Sequence, residues 1–331
     1  MSCGQESRQV AHMQLGGLSV YVGDASEMKN PKPFKTVEEQ IAILESRGIH
    51  FSNKKDAARF LLKENYYAVV NGYKDAFLDK QKTNLDKEDR YIDGTNFESF
   101  KRVYIFDKAL RNETMNVLLE AENAMKTATI YAFCEVHGNV DEYLDPACYC
   151  RKSEYKYEDY YTKGLIKLLS VLQGIRENKP HKQYIKHYVN EHHCLPLWVA
   201  SKCLTFGNMS AFFDYQQQRV KTKTCVALAR SLNKQVVKQK QLTFAFHVLP
   251  AFRNICAHDE RLYCARVGRL GDMGFDQLLR ALATVTTKER LSQFSKSVLV
   301  LLDEVARGDP SLESVILRGM RISRKDLEEL I

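Results

Sequence analysis

Between Phe97 and Phe133 no glycine or proline interrupts the chain. Phe97, Phe100, Tyr104, Leu110, Val117, Leu118, Ala121, Met125 and Ala128 recur there at three- and four-residue spacing. That period places apolar side chains along one face of an α-helix and not on alternating faces of a strand. The stretch predicts one long helix or two collinear ones. Thr95-Asn96-Phe97-Glu98 has the pattern of a capping box at its start, and His137-Gly138-Asn139 marks its end.

Helical periodicity dominates the remainder. Thr36-Val37-Glu38-Glu39 reads as a second capping box, opening a helix that Gly48 stops, and a further helix is expected over 54–64. Later helices are expected over 162–176, 182–191, 197–205, 210–218, 222–238, 249–261, 275–284, 287–307 and 311–319, with Pro196, Gly207 and Asn208 as breaks. Alternation with period two is scarce, so the fold class is all-α: a multi-helix bundle with helical additions at both ends. Residues 1–30, weakly patterned, read as a poorly ordered N-terminal arm. Residues 31–270 form the main helical domain, with an N-terminal part over 31–90 and a bundle over 91–270. The polar, acidic, tyrosine-rich stretch 139–160 reads as a long surface insertion. Residues 271–331 read as a C-terminal helical extension. Trp198, after Pro196, reads as a packing anchor.

Composition limits the function classes. Of 331 residues 44% are hydrophobic, enough to fill a core. No apolar run approaches the roughly 18 residues of a membrane helix, and MSCGQESRQVAHMQ lacks the order of a secretory signal. Nine irregularly spaced cysteines suit reduced thiols in a cytoplasm better than a disulfide framework. Cys148, Cys150 and the His192-His193-Cys194 run lack the spacing of structural zinc ligands, so neither metal nor cofactor is expected. The net charge of +8 is uneven. From Gln216 to Gln241 stand Arg219, Lys221, Lys223, Arg230, Lys234, Lys238 and Lys240 without one acidic residue. A block of one sign attracts polyanions, of which RNA or DNA is the usual one, with a solvated helix face as the plainer alternative.

The sharpest local feature is LPAFRNICAHDERLY, residues 249–263. Pro250 fits the first turn of a helix, which would set Arg253 near a positive N-terminal end that attracts anions. Asn254 and His258 are four apart and share a face. Arginine can grip phosphate with two parallel hydrogen bonds, histidine can exchange a proton near neutral pH, and asparagine can orient either. These groups suit RNA cleavage, because the 2′-hydroxyl is an internal nucleophile beside the phosphorus. Two proton transfers are needed and each chain offers one such histidine, so two chains sharing a site is the natural arrangement. The spacing alone is weak: Arg176 and His181 repeat it across Pro180. Arg253 could simply pair with Asp259 or Glu260, and Asp107 with Arg111.

Several blocks together resemble the Abi-like family of phage abortive-infection proteins, of the AbiD/AbiF type, which belongs to the HEPN ribonuclease superfamily. They are KPFKTVEEQIAILESRGI, NYYAVVNGYKDAF, FKRVYIFDKALRNETMNVLLEAENAMKTATIYAF, LPLWVASKCLTFGNMSAFF and LPAFRNICAHDERLY, in that order, from about Pro33 to Tyr263. The resemblance implies a HEPN-like bundle and a metal-independent endoribonuclease, with Arg253 as phosphate binder, Asn254 as polar neighbour and His258 as catalytic histidine. Arg261 is a secondary RNA-binding candidate. The resemblance also implies restraint in uninfected cells by a protein or small noncoding RNA antitoxin. A non-catalytic RNA-binding protein on the same fold is the alternative. NYYAVVNGYKDAF reads first as aromatic core and second as a surface for stacking bases.

Overall fold

The structure is a computed structural model that describes residues 33–138, 140–268 and 270–331, together with two short strands. The strands, β1 (Met13–Leu15) and β2 (Leu18–Val20), pair antiparallel. The expected disorder of residues 1–30 otherwise lies outside the described residues.

Every element in the body of the chain is helical. Thr36 caps α1 (Val37–Ser46), with Glu39 reaching back to complete the capping box. Asn53 caps α2 (Lys54–Glu64), and Asp79 caps a short α3 (Lys80–Asp86). The expected long rod is one helix, α4, running 41 residues from Phe97 to His137 and ending on Gly138 in a positive-φ conformation. Its buried side chains come as neighbouring pairs, such as Phe106–Asp107, Leu110–Arg111, Val117–Leu118 and Ala121–Glu122. Paired burial makes the stripe wider than that of a surface helix, as expected for a rod covered from several sides.

The chain continues through α5 (Glu158–Arg176) and α6 (Gln183–His192). The cover of the rod comes from α7 (Leu197–Ala200), α8 (Phe206–Asp214), α9 (Gln218–Ser231), α10 (Gln239–Ala257), α11 (Phe275–Val285), α12 (Lys288–Gly308) and α13 (Pro310–Met320), and α5 packs on α7 and α8. α9, α10 and α12 lie directly along α4. Buried side chains from Ile41 through Leu327 form one continuous cluster, so residues 271–331 share the core of the bundle. Arg290 reaches Glu120 at 2.8 Å and Ser99 reaches Asp309 at 2.9 Å across that junction.

Several local expectations change. Gly207 and Asn208, expected as breaks, lie in the first turn of α8, where Asn208 completes a capping box with Thr205, and α4 is capped by Asn96 and not by a Thr95–Glu98 capping box. The helix expected over 222–238 is α9, 218–231; Asn233, at φ +51°, turns the chain out before α10 begins at Gln239. The helix expected to start at Leu249 therefore starts ten residues earlier, and Pro250 sits in its interior. There proline removes one amide donor and leaves the carbonyl four residues back without its partner. The acidic stretch 139–160 is pinned: Tyr143 and Tyr149 are buried, and their hydroxyls donate to the carbonyls of Leu195 and Tyr143 at 3.0 and 2.6 Å. Trp198 is no packing anchor, since it stands 46% exposed.

Candidate active site

Arg253, Asn254 and His258 occupy the C-terminal end of α10, not its beginning. His258 is the C-cap, its amide donating to the Asn254 carbonyl at 2.9 Å. A helix C-terminus carries negative partial charge and exposed carbonyls, so it repels an anion. The N-terminal attraction expected from the sequence is absent, and phosphate binding here falls to side chains. The reason is Pro250, whose preference for first turns was overridden by the apolar face Leu242, Ala245, Phe246, Leu249 and Phe252.

Around the axis of α10, Arg253 faces α4 while Asn254 and His258 face solvent. The side-chain amide of Asn254 has no protein partner among the described residues. Arg253 turns its Nε toward Glu122 of α4, 3.7 Å from Oε2. Glu122 is 9% exposed, and neither its Oε2 nor the Arg253 Nε has a hydrogen-bond partner. Lys126, one turn on, stands 3.5 Å from the other carboxylate oxygen. A carboxylate against the Nε edge leaves the terminal guanidinium nitrogens for a ligand. Nothing in the spacing of α10 points to Glu122, which lies on the long helix far from Arg253 in sequence. Its burial is the signal, since a nearly buried carboxylate needs a cation. Cys256 lies between the key residues, but burial pushes its thiol up to about 12, so it is no nucleophile near neutral pH.

The turn after His258 is fastened from below. Asp107, fully buried on α4, accepts from the amides of Leu262 and Tyr263 at 3.0 and 2.7 Å, from the Tyr73 hydroxyl at 2.7 Å and from Arg111 at 2.8 Å. Arg111, 3% exposed, also binds Asp259 through its other terminal nitrogen. Asp259 itself adopts φ +58°, which reverses the chain. Burial raises the Asp107 carboxyl, while the Leu262 amide, the Tyr73 hydroxyl and the Arg111 guanidinium pull it back toward the ionised form. The anticipated Asp107–Arg111 pair is thus present, and the Asp259 partner is Arg111, not Arg253.

The basic block divides. Lys221 donates to the Asp214 carbonyl at 2.7 Å, Lys223 pairs with Glu135, and Lys234 binds the Ala283 and Thr284 carbonyls at the end of α11. Arg219 leans on Gln217 and His137. Arg230, Lys238 and Lys240 are exposed and unpaired among the described residues. Arg261 is exposed and stands 3.6 Å from Asp75. The aromatic block divides too: Tyr73 and Phe77 are core, whereas Tyr67 is 73% exposed. Among the described residues no cluster of histidine, cysteine or carboxylates is placed to hold a metal ion, and no helix is long and apolar enough to cross a membrane.

The fold and this fastened turn define an all-α bundle protein in which exposed Asn254 and His258 end a helix packed on a central rod, with Arg253 turned toward that rod. The sequence profile of the Abi-like protein family matches residues 59–264, more than half of the chain, and takes in both α4 and the Arg253–His258 segment. The chain belongs to the Abi-like family, a membership that suggests a part in phage abortive-infection defence. No curated protein and no solved structure matches it.

Proposed function

We propose that the protein is a metal-independent endoribonuclease of an abortive-infection or toxin–antitoxin defence system, on a HEPN-type bundle. The observation that carries this reading is the Arg253 guanidinium, its Nε edge facing buried Glu122 at 3.7 Å, on the same helix end as the solvent-facing Asn254 and His258. Arg253 would bind the scissile phosphate and stabilise the charge that grows on its oxygens. Asn254 would orient the phosphate or the imidazole. His258 would take the proton of the 2′-hydroxyl as its oxygen attacks phosphorus, or deliver a proton to the departing 5′-oxygen. One chain supplies one of these transfers. The exposed end of α10 could meet its copy in a homodimer, where the second His258 would supply the other. Exposed Arg230, Lys238 and Lys240 would hold RNA, either substrate or a small noncoding RNA antitoxin. A protein antitoxin would restrain the same face by covering it.

The test is incubation of purified protein with structured RNA in EDTA. Fragments ending in a 2′,3′-cyclic phosphate are expected, with DNA left intact. His258→Ala should abolish cleavage while far-UV circular dichroism stays unchanged. A need for added metal, equal cutting of DNA, or full activity of His258→Ala refutes the mechanism. That each chain brings one histidine to the proposed site favours a second reading, in which RNA is held and not cut. Bound, intact RNA at every protein concentration would select it.

A further inference from the structure

A cavity of about 470 Å³ opens beside the turn after His258, between the segment 67–73 and residues 255–266. Small-ligand sites span roughly 300–1,000 Å³, so it can take one planar heterocycle. Its rim is built, not incidental. Tyr67–Asn71 is a single wide π-turn, a distortion that recurs at functional sites. Asn65, at φ +69°, starts it and accepts the Tyr67 amide at 2.8 Å through its side chain. The turn holds the Tyr67 ring outward at the rim, while its neighbours Val69 and Val70 are buried. Gly72 lines the wall, where a Cβ would stand 3.8 Å from the Arg261 Cδ.

Position and charge indicate what fits. Ile255 and Asp259 line the cavity, and on α10 residue 255 is the next position round from Asn254. A group in the cavity therefore sits beside His258, three positions on from Ile255 and on the same side of α10, while Arg253 turns toward α4. Arg261 and Arg266 bring cations, with Arg266 already donating to the Ala265 and Gly319 carbonyls, and Asp259 and Glu260 bring carboxylates that offset them and oppose phosphate. A neutral ring with a polar edge meets no such opposition. Glu260 forms no ion pair among the described residues and can accept from ring N–H and amino groups, and Arg261 can donate to ring carbonyl or nitrogen acceptors.

We propose that this cavity is the subsite for the nucleobase beside the scissile phosphate, with the base stacked on Tyr67 and its polar edge read by Glu260 and Arg261. Guanine complements that lining best, since it offers adjacent donors to the carboxylate and acceptors to the guanidinium. The inference rests on the ribonuclease reading and adds a source of sequence preference to it.

The experiment uses the full chain carrying His258→Ala, which would hold RNA without cutting it. Affinity is measured for an RNA cut by the wild type and for the same RNA with an abasic residue at the base beside the cut. Loss of that base should weaken binding roughly five- to hundredfold. Tyr67→Leu should weaken the intact RNA by a similar factor and bring the two RNAs level, while Tyr67→Phe retains the difference. Equal weakening of both RNAs by Tyr67→Leu, or of neither, overturns the subsite. If the wild type cuts no RNA, the ribonuclease reading fails by itself. Guanosine 5′-monophosphate then provides the test: chemical-shift changes at Gly72 and Arg261 that vanish in Tyr67→Leu support the subsite, and their absence overturns it.

Discussion

Replacing Asp107 with asparagine would probe how the turn after His258 is held. The carboxylate accepts from two backbone amides, a hydroxyl and a guanidinium, all within 3.0 Å. Asparagine has the same shape but only one accepting oxygen. If that oxygen stays with the Leu262 and Tyr263 amides, the new NH2 faces Arg111, a guanidinium 3% exposed, and leaves its charge uncompensated on that side. Breaking one side of a buried ion pair costs about 3–5 kcal/mol. If the side chain flips, two buried amides lose their acceptor at about 1–3 kcal/mol each. The cost is therefore about 3–5 kcal/mol in the first rotamer and about 2–6 kcal/mol in the second, against a total stability of about 5–15 kcal/mol. Asp107→Asn should fold, with a urea midpoint well below wild type by circular dichroism at 222 nm. RNA cleavage should fail at temperatures where helical content persists, because the turn bearing His258 loosens first. A cost below about 1 kcal/mol would show that the four donors do not depend on a carboxylate, and would refute the clamp. Adding Arg111→Met separates the terms: a coupling above about 1 kcal/mol is expected, and zero coupling removes the ion pair from the account.

Other outcomes follow from the same contacts. Glu122→Gln removes a negative charge beside the proposed phosphate site, so RNA affinity should hold or tighten while cleavage slows by about a hundredfold through a misplaced Arg253; affinity and rate falling together would argue against an orienting carboxylate. Lys234→Gln should lower the unfolding midpoint by about 0.3–1 kcal/mol, since its ammonium caps the α11 carbonyls, and leave the salt dependence of RNA binding untouched. Lys238→Gln with Lys240→Gln should flatten that dependence by roughly 0.7–0.9 per residue, and a wild-type slope would return them to an ordinary solvated face. The hydrogen bond from His247 to Asp214, 2.8 Å long, raises the His247 pKa above 6.5. A histidine raised on folding stabilises fully below its unfolded pKa, and that contribution disappears as pH rises through the folded value. Its ring resonances should titrate above 6.5 and return toward it in Asp214→Asn, whereas identical titration in both proteins would exclude the pair.

The long helix was legible in the sequence because nothing competes with its period. From Phe97 to His137 spacing and the absence of breakers agree, and only the start differs: Asn96, not a Thr95–Glu98 capping box, caps the helix by accepting the Glu98 amide. Around the site the local signals disagreed, and the weaker one was read. Pro250 favours a first turn, but Leu242, Phe246 and Leu249 bury one continuous face through it, and burial of several large side chains outweighs one lost amide bond. The same competition relocated the proposed chemistry from an anion-attracting helix start to an anion-repelling helix end. Spacing within α10 gave which residues share its solvent face, as for Asn254 and His258. It could not give which residue of another helix would meet Arg253, because Asp259 and Glu260 are nearer in sequence while Glu122 is 131 positions away.

That long-range pairing bears on why a site would be built at a helix end at all. Since the C-terminal carbonyls disfavour an anion, bare electrostatics would leave phosphate unbound there. The bundle answers with a guanidinium fixed from outside its own helix. Glu122 and Lys126 stand on the same rod, α4, that carries Asp107 and Arg111 three to five turns earlier. One continuous helix thus sets both the arginine and the turn that follows the histidine. A 41-residue rod without a break is what keeps the two supports at a fixed separation, since each residue advances the axis by about 1.5 Å. A kink introduced between them, such as Asn116→Pro, would move the supports apart and should abolish cleavage even if both ends stay folded.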